Sequence, residues 1–235
     1  MTTTESLPRF FTLAECAVLL SAFVGCATPS PAIALTTEAA EQVHKIAVVE
    51  VPEPTTYGVV NVANEARFGG GVVNMKHGEE FSRTLHDRGF TLASEFNERL
   101  VSALTTAGFE VERIQLVRKD NVLKHGETTA DAILLVAIGA AYRGNDFSDY
   151  VPQLRARVAL LENKTGKENP IYRENFWYGP KNPLIGGIQI DPDPIYSYGT
   201  FEKLMDASAQ AGEGLLKGAA AISDRLAKEI SAVKR

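Results

Sequence analysis

Ile133-Leu134-Leu135-Val136-Ala137-Ile138 is apolar at every position. A run of this length without alternation reads as a strand covered on both faces, the centre of a sheet, and the extended character spans residues 130–141. Just downstream, residues 153–162 alternate: Ala156, Val158 and Leu160 fall on one face, and Arg155, Arg157 and Ala159 on the other. Asn163-Lys164-Thr165-Gly166-Lys167 is a turn in which Gly166 supplies positive φ. Residues 170–178 return from it as an antiparallel partner. Upstream, residues 45–51 form a short β-branched run stopped by Pro52 and Pro54.

Helices flank these strands. Leu92, Phe96, Leu100, Ala103, Leu104 and Ala107 recur at spacings of three and four, which predicts an amphipathic helix over 92–107. Thr91 is its expected N-cap, and Gly108 suits the left-handed residue that ends it. Residues 109–116 resume extended character. A long C-terminal helix is expected over 202–233, with Leu204, Ala211, Leu215, Ile222, Leu226 and Ile230 in its apolar stripe. Gly212, Gly214 and Gly218 each weaken it by about 1 kcal/mol relative to Ala and point to close packing or a bend. Between 55 and 89 the pattern suggests a hairpin-like insertion: a strand at Tyr57–Val62, then Gly69-Gly70-Gly71 turning into a strand at Val72-Val73. Residues 179–200 read as a long loop, and no internal repeat is visible. The order predicts an α/β sandwich: one mixed β-sheet packed by an amphipathic helix and a long C-terminal helix.

The N-terminal region carries a different signal. Ala17-Val18-Leu19-Leu20-Ser21-Ala22-Phe23-Val24 ends in Gly25-Cys26. Such a run is shorter than the roughly 20 apolar residues a membrane-spanning helix needs, and has the length of a signal-peptide core. Phe23-Val24-Gly25-Cys26 resembles the lipobox of bacterial lipoproteins, which implies a leader at 1–25 and an acylated (palmitate-bearing) Cys26 as the new N-terminus. Cleavage of an ordinary secretory signal near Ala32 or Ala34, or a start codon placed too early, are the alternatives. Of the two cysteines, Cys16 would leave with the leader, so no intramolecular disulfide is expected. Residues 26–43 then read as the lipidated cysteine and a flexible tether, spanning roughly 20–25 Å as a coil. A single α/β domain is expected over 44–235. Ala27 after the cysteine, by the same resemblance, favours the bacterial outer membrane, facing the periplasm.

Charge bounds the partners. The chain holds 24 basic and 29 acidic residues, a net of −5, with both signs interleaved. No basic cluster suits a phosphate backbone, so nucleic-acid binding is not expected. Membrane attachment would rest on acyl chains rather than on electrostatic pull.

Residues 45–51, the helix ending in Ala107-Gly108-Phe109, Ala130-Asp131-Ala132-Ile133-Leu134-Leu135-Val136, and residues 157–167 with their Thr-Gly-Lys turn resemble a known group. These are bacterial envelope lipoproteins with the TolB N-terminal-like fold, including the curli-secretion lipoprotein and small cell-wall-synthase activators. The resemblance implies a role in envelope assembly and protein–protein contact.

Signals for chemistry are sparse. Gly69-Gly70-Gly71 lacks the spacing of a phosphate loop. His44, His77, His86 and His125 show no helical metal-ligand spacing. Asp191-Pro192-Asp193-Pro194 lacks the further ligands of a calcium loop. There is no Gly-x-Ser-x-Gly elbow. No catalytic residue, cofactor or metal site is therefore expected. The strongest interaction candidate is the aromatic loop holding Phe176, Trp177, Tyr178, Tyr196 and Tyr198, stiffened by Pro180, Pro183, Pro192 and Pro194. Such side chains either anchor a partner or fold back to cover the sheet edge. The leading functional expectation is a non-catalytic envelope lipoprotein contacting a protein partner or a second copy of itself. A soluble periplasmic small-ligand-binding module and a hydrolase are the alternatives.

Overall fold

A mixed sheet grows outward on both sides of the apolar run. The computed structural model describes residues 31–65, 69–119, 122–164, 167–181 and 186–232. Its strands are β1 (Lys45–Val49), β2 (Gly58–Asn61), β3 (Glu110–Ile114), β4 (Leu116–Lys119), β5 (Val122–His125), β6 (Ala132–Asn145), β7 (Ser148–Lys164), β8 (Lys167–Tyr178) and β9 (Ile188–Ile190). Its helices are α1 (Thr37–Gln42), α2 (Val62–Glu65), α3 (Gly70–Asp87), α4 (Leu92–Thr106), α5 (Phe201–Asp206) and α6 (Ser208–Ala232). The sheet runs β3-β1-β6-β7-β8-β9, and β2 joins β6 beyond the end of β1. β6, β7 and β8 are an antiparallel meander, whereas β1, β2 and β3 run parallel to their neighbours. The expected α/β architecture with one mixed sheet is present.

One face of the sheet carries nearly all the core. Ile46, Val48, Leu134, Tyr142, Leu154, Val158 and Phe176 meet Phe96, Leu100, Leu104, Leu215, Ile222 and Leu226 of α4 and α6. Residues that alternate inward along β6 and β7 supply this layer, as their period of two requires. On the opposite face a small cluster joins Ala47, Val49, Ile133, Ala159 and Leu161 to Ile114, Leu116 and Leu135. The apolar run is thus buried on both sides only near Ile133 and Leu134; from Leu135 to Ala141 β6 is half-buried. The continuous apolar pattern overstated the second layer.

Three expectations are corrected. The stretch from Gly70 to Asp87 is an 18-residue helix rather than a turn and strand. Gly69 takes a left-handed φ of 78° before it, and Gly78, Phe81, Ser82 and Leu85 present its buried face at helical spacing. Residues 33–43, expected within a flexible tether over 26–43, are instead part of the fold: Ile33 pairs with Arg173 through two 2.9 Å backbone hydrogen bonds, and α1 buries Ala40. Leu35 and Val43 complete that contact, with Thr36 capping α1 through Ala39. A sparse apolar pattern suffices because the edge of β8 offers unpaired backbone. The C-terminal helix is divided at Ala207, so α5 and α6 are separate elements. The β4–β5 hairpin had no counterpart in the sequence reading.

Asp131 locks the start of the central strands. Its carboxylate Oδ2 accepts from the backbone N–H groups of His44 and Lys45, both at 2.8 Å, and its own N–H donates to the Lys45 carbonyl. Asp131→Ala is expected to cost about 2 kcal/mol, because two donors lose a charged acceptor. The unfolding midpoint should drop by roughly 4–8 °C in a thermal melt. An unchanged midpoint would mean that water replaces the carboxylate without loss.

Candidate functional site

The open face of the sheet is assembled by strand register. Opposite residues form three rows: Leu135, Ala159 and Arg173; Ala137, Arg157 and Asn175; Gly139, Arg155 and Trp177. Directly opposed residues share a face, so Arg155, Arg157 and Arg173 all point away from the α4–α6 layer. They form a diagonal stripe across β7 and β8. None of the three makes a salt bridge among the described residues.

Arg155 is held in place by an aromatic. Its Cζ lies 4.3 Å from the centroid of the Trp177 ring, a cation–π stack. Trp177 is fixed beneath it, its indole N–H donating to the Pro180 carbonyl at 3.1 Å. Desolvation, followed by repulsion from Arg143 and Arg157, holds the Arg155 guanidinium below its ordinary pKa. Beyond Trp177, at the β6–β7 end, lies a trough of about 490 Å³. Arg143, Ser148, Asp149, Gln153, Trp177 and Lys181 line it, and Asp149 is the one carboxylate among the described lining residues. Guanidinium groups bind oxyanions through charge-assisted, often bidentate hydrogen bonds, so the chemistry of this face suits anionic groups.

The five aromatics singled out from sequence lie elsewhere in character. Phe176, Trp177, Tyr178, Tyr196 and Tyr198 are 1%, 3%, 3%, 4% and 7% exposed. They do not form a partner-facing patch, and the covering reading is the correct one. Tyr178 and Tyr196 pack against α6, where Gly218 and Gly214 leave room for their rings, and the Tyr198 ring lies 5.7 Å from that of Tyr142. Tyr198 is pinned by a two-bond bridge to Tyr150, and the Tyr178 hydroxyl accepts from the Asp193 N–H at 3.1 Å. Only Trp177 takes part in the open face, as the floor under Arg155. Cys26 lies outside the described residues.

The remaining candidates are dispersed. His77 stacks on Phe201 at 3.8 Å, His86 lies beside Tyr57, and His125 bonds the Gly126 carbonyl. Asp193 caps a single 3-10 turn, and Asp191 sits 3.6 Å from Lys181. Among the described residues no group of three or more His, Cys, Asp or Glu side chains is placed to hold a metal. Nor is any described helix long and apolar enough to cross a membrane. No protein-family model matches the chain, and no curated protein matches it significantly.

Sequence reasoning had Arg155 and Arg157 on one face through their alternation with Ala156 and Val158. It missed Arg173 and the stack on Trp177, because both depend on pairing with β8.

Proposed function

We propose that the chain is a non-catalytic bacterial envelope lipoprotein, anchored through Cys26 at the periplasm-facing surface of the outer membrane. Its α/β domain serves protein–protein contact in envelope assembly or maintenance. The observation that carries this reading is the apolar run at 17–24 ending in Gly25-Cys26, followed within seven residues by the paired Ile33. The position of the pairing also supports it. Secretory cleavage after Ala34 would remove Ile33 and both hydrogen bonds that tie the segment to β8.

A soluble periplasmic module that binds a small ligand is the second reading. The trough favours it, since 490 Å³ falls within the usual size of ligand sites. Intact mass of the native protein separates the two. The lipoprotein reading expects loss of residues 1–25 and a gain of acyl mass, with Cys26→Ser showing no acyl gain. A native chain that begins after Ala32, without acyl mass, would overturn the anchor and leave the soluble module.

A further inference from the structure

We propose that the arginine stripe of Arg155, Arg157 and Arg173 is a docking face for an anionic phospholipid surface. The sheet lies against lipid phosphates, and α4 and α6 point away toward a partner. This deepens the lipoprotein reading and rests on it for the proximity of the membrane.

Two observations choose a lipid surface as the occupant. The first is the length of chain outside the fold and where it ends. Only residues 27–32 separate Cys26 from Ile33, a reach of at most about 25 Å. Ile33 forms its two hydrogen bonds with Arg173 itself, so this leash joins the domain at the end of the stripe. A domain held there has its β8 edge near the bilayer, with the open face next to that edge. The second is charge complementarity. The chain is acidic overall, yet three guanidinium groups on this face stand without carboxylate partners among the described residues. Net charge averages over the surface and conceals such a patch. The stripe is spread over two neighbouring strands of an open sheet, which matches a plane of phosphates better than a single extended chain.

Trp177 provides the readout, because it is the only tryptophan in the chain and sits on this face beneath Arg155. The acylated mature protein is reconstituted into phosphatidylcholine vesicles with or without phosphatidylglycerol. Energy transfer from Trp177 to a headgroup-attached dansyl lipid is then measured, each sample normalised to unlabelled vesicles. Transfer is expected to be high with phosphatidylglycerol, low without it, and suppressed by high salt. Arg157→Gln with Arg173→Gln leaves the Arg155 stack in place and should weaken docking roughly 25-fold, about 5-fold per arginine. The corresponding double lysine variant should restore it. Transfer that ignores lipid charge, or a double glutamine variant that docks as well as wild type, overturns the proposal. So does polyglutamate binding to the stripe without charge-dependent transfer, which would make an acidic protein segment the occupant. Should native protein carry no acyl mass, the lipoprotein reading fails separately. Unanchored protein added to the same vesicles then reads docking alone.

Discussion

Gly218→Val is expected to destabilise the protein by roughly 3 kcal/mol or more, through overpacking that the surroundings cannot relieve. A Cβ at this position would sit 2.6 Å from Tyr178 Cδ1 and 2.8 Å from Leu154 Cδ1. Neither ring nor leucine has room to yield: Leu154 is fully buried, and Tyr178 is held by its bond from Asp193. The helix cannot slide either. One turn away a Cβ on Gly214 would meet the Tyr142 hydroxyl at 2.6 Å and Tyr196 Cγ at 2.8 Å. Gly218→Ala carries the same overlap but gains about 1 kcal/mol of helix propensity, so its net loss should be smaller. Gly71→Ala is the control of opposite sign. It lies in α3, where a Cβ would meet nothing within 4 Å, and should stabilise by about 0.5–1 kcal/mol. Urea denaturation of the three variants checks this order. A Gly218→Val protein as stable as wild type would mean that α6 is not seated against β7 and β8 as described.

The second large effect is expected at Glu53, which caps α4 from a distance. Its Oε1 and Oε2 accept from the Leu92 and Ala93 N–H groups at 2.9 and 2.8 Å, and Oε1 also accepts from the Tyr57 hydroxyl. A carboxylate at a helix N-terminus satisfies orphan donors and complements the helix dipole. Glu53→Ala removes both and leaves a fully buried tyrosine without its acceptor, a loss of about 3 kcal/mol. Glu53→Gln keeps the shape but not the charge and should lose about half as much. The pH response has a definite sign. Burial, then the bond to Glu53, raises the Tyr57 pKa, and burial raises that of Tyr142 and Tyr172. Their unfolded forms release protons first, so stability falls as pH climbs above the ordinary tyrosine value of about 10. A flat profile from pH 9 to about 11 would contradict that environment.

Where local pattern decides an element, the sequence was a sufficient guide. β6, β7, β8 and α4 follow from alternation, turn chemistry and helical spacing, and Gly108 does take a left-handed φ of 91°. Where a distant residue intervenes, it was not. Thr91 makes no side-chain cap bond because Glu53 already occupies the site. Glycines and valines at 69–73 look extended until Phe81 and Leu85 extend the helical face behind them. The open face depended on one irregularity. β7 and β8 pair regularly from Lys164 and Lys167 to Leu161 and Pro170, then shift between Leu160 and Leu161. Continued without the shift, that pairing would set Arg173 opposite Val158, facing the core. The bulge places it opposite Ala159, facing out. No composition or periodicity signals a bulge of one residue, yet it determines whether a third arginine joins the stripe.

The way the N-terminal segment is fastened also bears on how the molecule carries mechanical load. A pull on that segment meets the Ile33–Arg173 bridge first, a single pair of hydrogen bonds at the sheet margin. Behind it stands α1, six residues held chiefly by Leu35, Ala40 and Val43. Only then does force reach β1, which is bonded to β3 on one side and β6 on the other. Sliding β1 along its axis would break both ladders together, whereas the bridge and α1 can yield one contact at a time. Under such a pull they would give way before the sheet does. Peeling away residues 33–43 would release up to roughly 35 Å of chain while the sheet stays intact.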